Sequence, residues 1–355
     1  MKELQQIGWT PRLEQLWSEA DYKDCVPARV VADFGSVLRT AAPKEVNVQL
    51  SGNLVYYSDP AELPKVGDWV AIKLVEHGNA LIEAVLPRTS EISRKVAGDK
   101  IEKQILATNI DVAFIVQSAD EDFSPERIER YLYQLQSDNI QPVIILNKID
   151  AVEDLSEYTD RLDTTEVPYV ACSAKTGDGV DKILDYLKAG QTAVLLGSSG
   201  VGKSTLTNHL LGKAVQKTQE VRVEDNKGRH TTTHRELFAL NNGSLLIDTP
   251  GVRELQLWGS EQELSETFAD IIKIAQDCQY RNCGHTSEPG CAVNVALENG
   301  SLSSPHYQNY IKMKDELKHL ETNTNYAPSK QKQRATDKAI KQRYKQRNTP
   351  KKDKK

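Results

Sequence analysis

The sequence predicts a multidomain chain: a small N-terminal β-barrel, a central α/β unit with a mainly parallel, doubly wound sheet, and a C-terminal, mostly α unit wrapped round a metal. Three observations predict it. Between Cys25 and Lys95, about five short apolar segments alternate with turn residues. From Ile101 the rhythm changes to buried-strand runs separated by segments with helical spacing. Near the C-terminus, three cysteines and a histidine crowd into Cys278–Cys291. The expected boundaries are a lead-in over 1–24, the barrel over 25–98, the α/β unit over 99–260, the metal-binding unit over 261–325 and a tail over 326–355.

Composition narrows the class. Of 355 residues, 39% are hydrophobic, enough for ordinary cores and for two or three domains. No segment is apolar for long enough to span a bilayer, and Met1–Ala20 lacks the continuous apolar stretch of a signal peptide. Cysteines clustered at metal-ligand spacing fit a reducing compartment, so a cytoplasmic protein is expected. The net charge of −5 hides an asymmetry: Lys330–Lys355 carries 12 Lys/Arg and 2 Asp/Glu, leaving the body near −15. A basic tail on an acidic body suits a polyanionic partner.

In chain order, Ile7, Trp9, Leu13 and Trp17 give the lead-in an amphipathic face that packs on a neighbour. Ala28–Asp33, Val46–Leu50, Leu54–Tyr57, Asp68–Val75 and Ala80–Val85 read as strands, broken by Gly35, Ser51-Gly52, Asp59-Pro60, Gly67 and Gly78-Asn79. Five strands in about seventy residues suggest an OB-like barrel, with Tyr56, Tyr57, Arg29, Arg39 and Lys73 as candidate RNA contacts. Ile110–Val116, Pro142–Leu146 and Val167–Ala171 read as buried strands. Ser124-Pro125 caps a helix carrying Ile128, Leu132 and Leu135. Val180, Ile183, Leu184 and Leu187 mark another, ending at Gly190. Residues 213–235 read as a long polar loop. Glu236–Leu240, Asn242-Gly243 and Ser244–Ile247 form a hairpin pattern. Ser304-Pro305 opens a last helix lined by Tyr307, Tyr310, Ile311, Leu317 and Leu320.

The strongest motif is Gly197-Ser198-Ser199-Gly200-Val201-Gly202-Lys203-Ser204-Thr205. It follows the apolar run Ala193-Val194-Leu195-Leu196 and precedes a helical pattern with Leu206, Leu210 and Leu211 on one face, closed by Gly212. Glycines let backbone N–H groups turn onto phosphate oxygens, and the helix N-terminus adds positive partial charge. Lys203 suits the β- and γ-phosphates, and the Ser204 hydroxyl suits Mg²⁺. The bare pattern arises by chance in roughly one chain of this length in a hundred; the flanking strand and helix make chance far rarer. The loop implies a nucleoside triphosphate without naming the base.

Asn147-Lys148-Ile149-Asp150 names the base. A carboxylate at a strand end accepts from guanine N1–H and the exocyclic amine together, a donor pair that adenine lacks. An ATPase is therefore disfavoured. Ser173-Ala174-Lys175 at the end of the following strand joins the same set. Asp248-Thr249-Pro250-Gly251 ends another strand, where the Asp suits a Mg²⁺-bound water and the Gly251 N–H a γ-phosphate. Within the loop Gly228-Arg229-His230-Thr231-Thr232-Thr233, one threonine hydroxyl, taken as Thr232, would complete the Mg²⁺ shell.

These motifs resemble those of the translation-factor-related GTPases in rotated order, with the base motif ahead of the phosphate loop. The central unit is thus expected to be a circularly permuted P-loop GTPase, in which Asp248–Gly251 feeds directly into the C-terminal unit and transmits nucleotide state as a change of domain orientation. Ras-like sites carry a water-orienting Gln after this motif; here Val252 follows. Intrinsic hydrolysis is expected to be slow, with His230 as the candidate water-orienting group beside Lys203 and Thr232.

Cys278, Cys283, His285 and Cys291, spaced C-x₄-C-x-H-x₅-C, fit one structural, tetrahedral zinc ion. Tyr280, Arg281 and Asn282 would form a partly basic knob of a kind that meets RNA. Barrel, permuted GTPase, zinc motif and basic tail together resemble the small-ribosomal-subunit-dependent bacterial GTPases of the RsgA (YjeQ/YloQ) family, over essentially the whole chain. The resemblance implies GTP and GDP as ligands and the small ribosomal subunit and its rRNA as partners. It also implies a role late in subunit maturation, with hydrolysis stimulated by the subunit and coupled to release. No membrane partner is expected, and the protein is expected to be a monomer. Two other readings are a GTP-dependent switch acting on a protein partner and an RNA-binding scaffold with little hydrolysis.

Overall fold

A computed structural model describes residues 2–95, 103–212, 235–248 and 260–324, apart from short gaps at 21, 23, 36, 42–44, 76–78 and 137–138. The lead-in forms two short helices, α1 (Lys2–Gln6) and α2 (Pro11–Glu19), the second capped by the Thr10 side chain on the Leu13 N–H. Leu4, Trp9 and Leu13 pack against Trp69 and Leu86, and the Trp9 and Trp69 rings meet edge-on at 4.8 Å. The amphipathic face is a packing face, as its spacing predicts.

The barrel comprises β1 (Val26–Asp33), β2 (Leu38–Ala41), β3 (Val46–Leu50), α3 (Gly52–Tyr57), β4 (Trp69–Leu74) and β5 (Ala80–Val85). The order β1-β2-β3-β5-β4 closes through a β1–β4 pairing. Ala28, Val30, Leu38, Val48, Val70, Ile72, Ala80 and Ile82 fill it. Two expectations need correction. Leu54–Tyr57 is helical, not a strand, because the Ser51 hydroxyl caps the Leu54 N–H and starts a turn. The fifth strand is β2, whose four residues are too short for a clear alternation. Arg29 cannot reach RNA: it is 1% exposed.

A hairpin of β6 (Glu91–Lys95) and β7 (Lys103–Thr108) leads into the α/β unit. There follow β8 (Val112–Ser118), α4 (Pro125–Leu135), β9 (Gln141–Asn147), α5 (Ser156–Asp163), β10 (Tyr169–Ala171), a 3₁₀ segment Val180–Tyr186, β11 (Thr192–Leu196), α6 (Lys203–Leu211), β12 (Arg235–Ala239) and β13 (Leu245–Asp248). The order is β10-β9-β8-β11-β13-β12, parallel except for β12. All seven residues of β8 are buried, and residues 112–116 form the apolar run expected where helices cover both faces. Ala113, Ile115, Val194 and Leu196 pack with Ile128, Tyr131 and Leu135 of α4. Val112, Phe114, Val116, Ala193 and Leu195 pack on the other face with Leu206, Leu210 and Leu211 of α6.

The barrel and this sheet are continuous, since β1 pairs antiparallel with β12 through Ala32–Glu236 and Asp33–Arg235. The C-terminal unit has α7 (Glu261–Thr267), α8 (Ala269–Ala275), α9 (Ala292–Glu298) and α10 (Ser304–Thr324). Leu264, Phe268, Ile271, Val293, Met313 and Leu317 form its core, and Tyr133 of α4 joins the same cluster.

Candidate nucleotide and metal sites

In an open α/β sheet, ligands bind beyond the carboxyl ends of the strands where the chain switches faces. Here that point lies between β8 and β11, because α4 and α6 cover opposite faces. The phosphate loop occupies it. Gly197 has φ +148°, and a Cβ there would lie 2.4 Å from the Val116 carbonyl oxygen. Gly202 has φ +100°, and its Cβ would lie 2.2 Å from Asn147 Nδ2. Neither position admits a side chain. Lys203 opens α6, and its Nζ reaches back across the loop to the carbonyls of Gly197 (2.7 Å) and Ser198 (2.6 Å). Ser204 and Thr205 follow in the first helical turn.

The structure brings the rotated motifs to this edge. Asn147 is 2% exposed. Its Nδ2 donates to the Val201 carbonyl at 2.8 Å, and its Oδ1 accepts from the Ala174 N–H at 2.8 Å. One amide thus ties the phosphate loop to the Ser173–Lys175 segment. Lys148 adopts a left-handed conformation and pairs with Asp120 at 2.8 Å. Asp150 accepts from the Ser173 hydroxyl at 2.6 Å and lies 3.8 Å from Lys175 Nζ. The Ser173 hydrogen bond, with Lys175 nearby, holds the Asp150 carboxyl below its ordinary range, so it stays an acceptor at neutral pH. Cys172 beneath it is inert, since burial pushes its thiol up to about 12.

Asp248 ends β13 on the same edge. His230, Thr232 and Gly251, with the remainder of Gly228–Thr233 and Thr249–Arg253, lie outside the described residues, as does the basic tail.

Three residues at the site were not singled out from the sequence. Asp120 and Asp122 sit in the loop after β8, and Arg127 in the first turn of α4. The Ser198 hydroxyl donates to Asp122 Oδ2, and Arg127 reaches both Asp122 (3.0 and 3.1 Å) and Ser198 Oγ (3.1 Å). Burial would raise both carboxyls, but Lys148 and Ser118 at Asp120, and Arg127 and Ser198 at Asp122, outweigh it and lower them. The readable signal was two acids just past the carboxyl end of a buried strand.

Cys278, Cys283, His285 and Cys291 converge, with their ligand atoms all within 4.8 Å of one another. His285 Nδ1 lies 3.6 Å from Cys278 Sγ and 3.5 Å from Cys291 Sγ. Tetrahedral ligation at about 2.3 Å for sulfur and about 2.0–2.1 Å for nitrogen separates such atoms by about 3.6 Å. The group fits a tetrahedral metal ion. Glu288 closes the surrounding turn by accepting from the Gly284 and Thr286 N–H groups at 2.8 and 2.9 Å.

Strand order, phosphate loop and base motif define a GTPase whose chain is circularly permuted. A protein-family model described as RsgA GTPase matches residues 85–258. An ABC transporter model also matches, over 181–339, a stretch that includes the phosphate loop but not the base motif. A small ribosomal subunit biogenesis GTPase RsgA from Opitutus terrae is 42% identical, over 88% of this chain and 89% of the relative. The relative named RsgA 2 from Lactiplantibacillus plantarum is 42% identical over 88% and 90%. The crystal structure of YjeQ from Thermotoga maritima superposes with TM-score 0.60 at 26% identity, covering 82% of this chain and 98% of that one. YloQ, described as a circularly permuted GTPase, shares the fold with TM-score 0.58 at 23% identity, over 84% and 97%. The chain belongs to the RsgA family and is a GTP hydrolase of that family.

Proposed function

We propose that this GTPase acts in the late maturation of the small ribosomal subunit, binding the subunit and its rRNA. The subunit stimulates hydrolysis, and hydrolysis releases the protein. The observation that carries the nucleotide half is Asn147, whose single amide binds the phosphate loop and the Ser173–Lys175 segment together. Base and phosphate recognition thereby share one rigid edge. The names of the relatives carry the ribosomal half.

At the base end, ionised Asp150 accepts the N1–H and amine of guanine, oriented by Ser173, with Ala174, Lys175, Asn147 and Lys148 around the ring. At the phosphate end, the N–H groups of Gly197–Gly202 and the first turn of α6 line the oxygens. The Lys203 ammonium exchanges loop carbonyls for β- and γ-phosphate oxygens. Ser204 and Thr232 would hold Mg²⁺ through their hydroxyls, and the ion would supply positive charge against the phosphates; Thr205, Asp248 and Gly251 complete the pocket. His230 orients the attacking water, because Val252 stands where a glutamine would be needed. The Cys₃His group holds a structural zinc. The exposed Tyr56 and Tyr57 of α3 and the basic tail contact RNA. No helix among the described residues is long and apolar enough to cross a membrane, and the protein works as a cytoplasmic monomer.

The test is GTP turnover with and without purified small subunits across a salt series. Stimulation that fades as salt rises is expected, because phosphate contacts weaken steeply with salt. Absence of stimulation at every salt concentration would sink the ribosomal reading.

A further inference from the structure

Helix α4 touches two places that the sequence keeps far apart. Its first turn holds Arg127, whose guanidinium grips Asp122 with both terminal nitrogens and reaches Ser198 Oγ. Ser198 is the second residue of the phosphate loop, and its hydroxyl also bonds Asp122. A planar, five-donor guanidinium can grip the carboxylate with two parallel bonds while reaching the hydroxyl, a fork geometry that a lysine lacks. The preceding loop also carries Asp120, the partner of Lys148, and the Asp122 N–H donates to Asp120 Oδ1 at 2.9 Å. Base motif, phosphate loop and helix start are thus bonded in series.

The next turns of α4 carry the C-terminal unit. Glu129 accepts from His306 Nδ1 and from Asn309 Nδ2, both at 2.6 Å. Arg130 pairs with Glu316 through both carboxylate oxygens at 3.0 and 3.3 Å. Tyr133 donates to the Ser260 carbonyl at 3.2 Å. His306, Asn309 and Glu316 all belong to α10. One helix of eleven residues therefore connects the phosphate loop to the longest helix of the metal-binding unit.

We infer that Arg127 is a positioning residue of the phosphate site: with Asp122 it clamps Ser198, and through α4 it couples the phosphate loop to α10 and the metal-binding unit. Phosphate groups entering the loop change what Ser198 and Lys203 bond to. Arg127 passes that change to a helix whose other side is fastened to α10. This route uses described residues alone and runs separately from the Asp248–Gly251 segment. It rests on nucleotide binding at the loop and on no ribosomal partner, so the isolated protein tests it.

The experiment measures GDP and non-hydrolysable GTP analogue affinities, together with amide hydrogen exchange over Ser304–His319 at saturating nucleotide. Wild type should exchange differently across α10 in the two nucleotide states. Arg127→Gln should weaken the GTP analogue by about tenfold, within the usual range of 5–150-fold for coupled sites, and abolish the α10 difference at saturation. Ser198→Ala removes a single hydroxyl, leaves the fold intact and should weaken the analogue in the same direction. Arg130→Gln should keep wild-type nucleotide affinity while losing the α10 difference, a split that general loosening of the fold would not give. Wild-type affinity in both Arg127→Gln and Ser198→Ala, or an unchanged α10 difference in Arg130→Gln, overturns the inference.

Discussion

The central sheet has two neighbours, and it holds them in opposite ways. The barrel is joined by backbone: β1 extends the sheet through β12. A buried guanidinium seals the joint. Arg29 donates to the carbonyls of Ile7, Gly67 and Asn109 and to Thr192 Oγ1, linking lead-in, barrel, connecting loop and the start of β11. It also stacks over Trp69. Burial pushes its pKa down to about 10, with Asp111 and Asp68 opposing the fall, so it remains charged at neutral pH. The C-terminal unit is joined by side chains instead. Its ion pairs with α4 are partly exposed, as at Arg130–Glu316 with 22% and 35% of the side chains accessible. Exposed pairs contribute about 0–1 kcal/mol each and weaken with salt. The difference implies that barrel and sheet move as one body, while the seat of the C-terminal unit depends on side chains of α4, the partly exposed ion pairs and buried Tyr133 together.

The largest effect should come from disrupting the Cys₃His group that we propose holds zinc. Cys283→Ser, or a strong chelator, should unfold the loop between α8 and α9 and with it the C-terminal core, because Cys278, Cys283 and Cys291 contact that core. Structural zinc supplies about 10–16 kcal/mol in small finger peptides; the helices here reduce the dependence without abolishing it. Hydrogen exchange should show lost protection over 261–319 and retained protection over β1–β5. Loss of protection in the barrel as well would mean that the two joints are not independent.

Arg29→Met should come next. It leaves the buried carbonyls of Gly67 and Asn109 and the Thr192 hydroxyl without their donor and removes the cation near Asp111, at a cost of about 1–3 kcal/mol for each buried acceptor left unpaired. Urea unfolding should show a lower midpoint for the barrel and sheet together. Arg29→Lys should recover little, since one ammonium cannot reach three carbonyls and a hydroxyl on four segments. Separate transitions for barrel and sheet in wild type would break the one-body view.

Much of this was legible because it depends on local chemistry. The order strand, glycine loop, helix reads directly as a phosphate site, and Asn147–Asp150 ahead of it reads as a permuted sheet. The C-x₄-C-x-H-x₅-C spacing brings four ligands together within one short loop, so no long-range knowledge was needed. What escaped depended on tertiary partners. Leu54–Tyr57 is apolar enough for a strand, but the barrel takes its fifth strand from short β2 and leaves that segment to follow its Ser51 cap. Arg29 reads as a surface cation until Gly67, Asn109 and Thr192, up to 163 positions away, are brought round it. Asp122 and Arg127 bond a loop more than seventy residues downstream, and no local pattern announces that.

The smallest effect should be a pH dependence of the side-chain joint. His306 lies in the first turn of α10, where a positive charge opposes the helix dipole. Burial also lowers its pKa, yet hydrogen bonds and charge from Asp270 and Glu129 overcome both and raise it to about 10. Because the folded value lies above the ordinary one near 6.5, the contribution is fully present below about pH 6.5 and fades as pH climbs toward 10. Asp270 is lowered by His306, so its share is present above about pH 4 and is lost on further acidification. Docking of α10 on α4 should therefore be strongest from about pH 4 to about pH 6.5. Exchange protection in α10 should fall between about pH 7 and about pH 10 after correction for intrinsic exchange, while protection in β1 and β12 stays level. His306→Gln should flatten that slope, and a slope that persists in this variant would place the titrating group elsewhere in the joint.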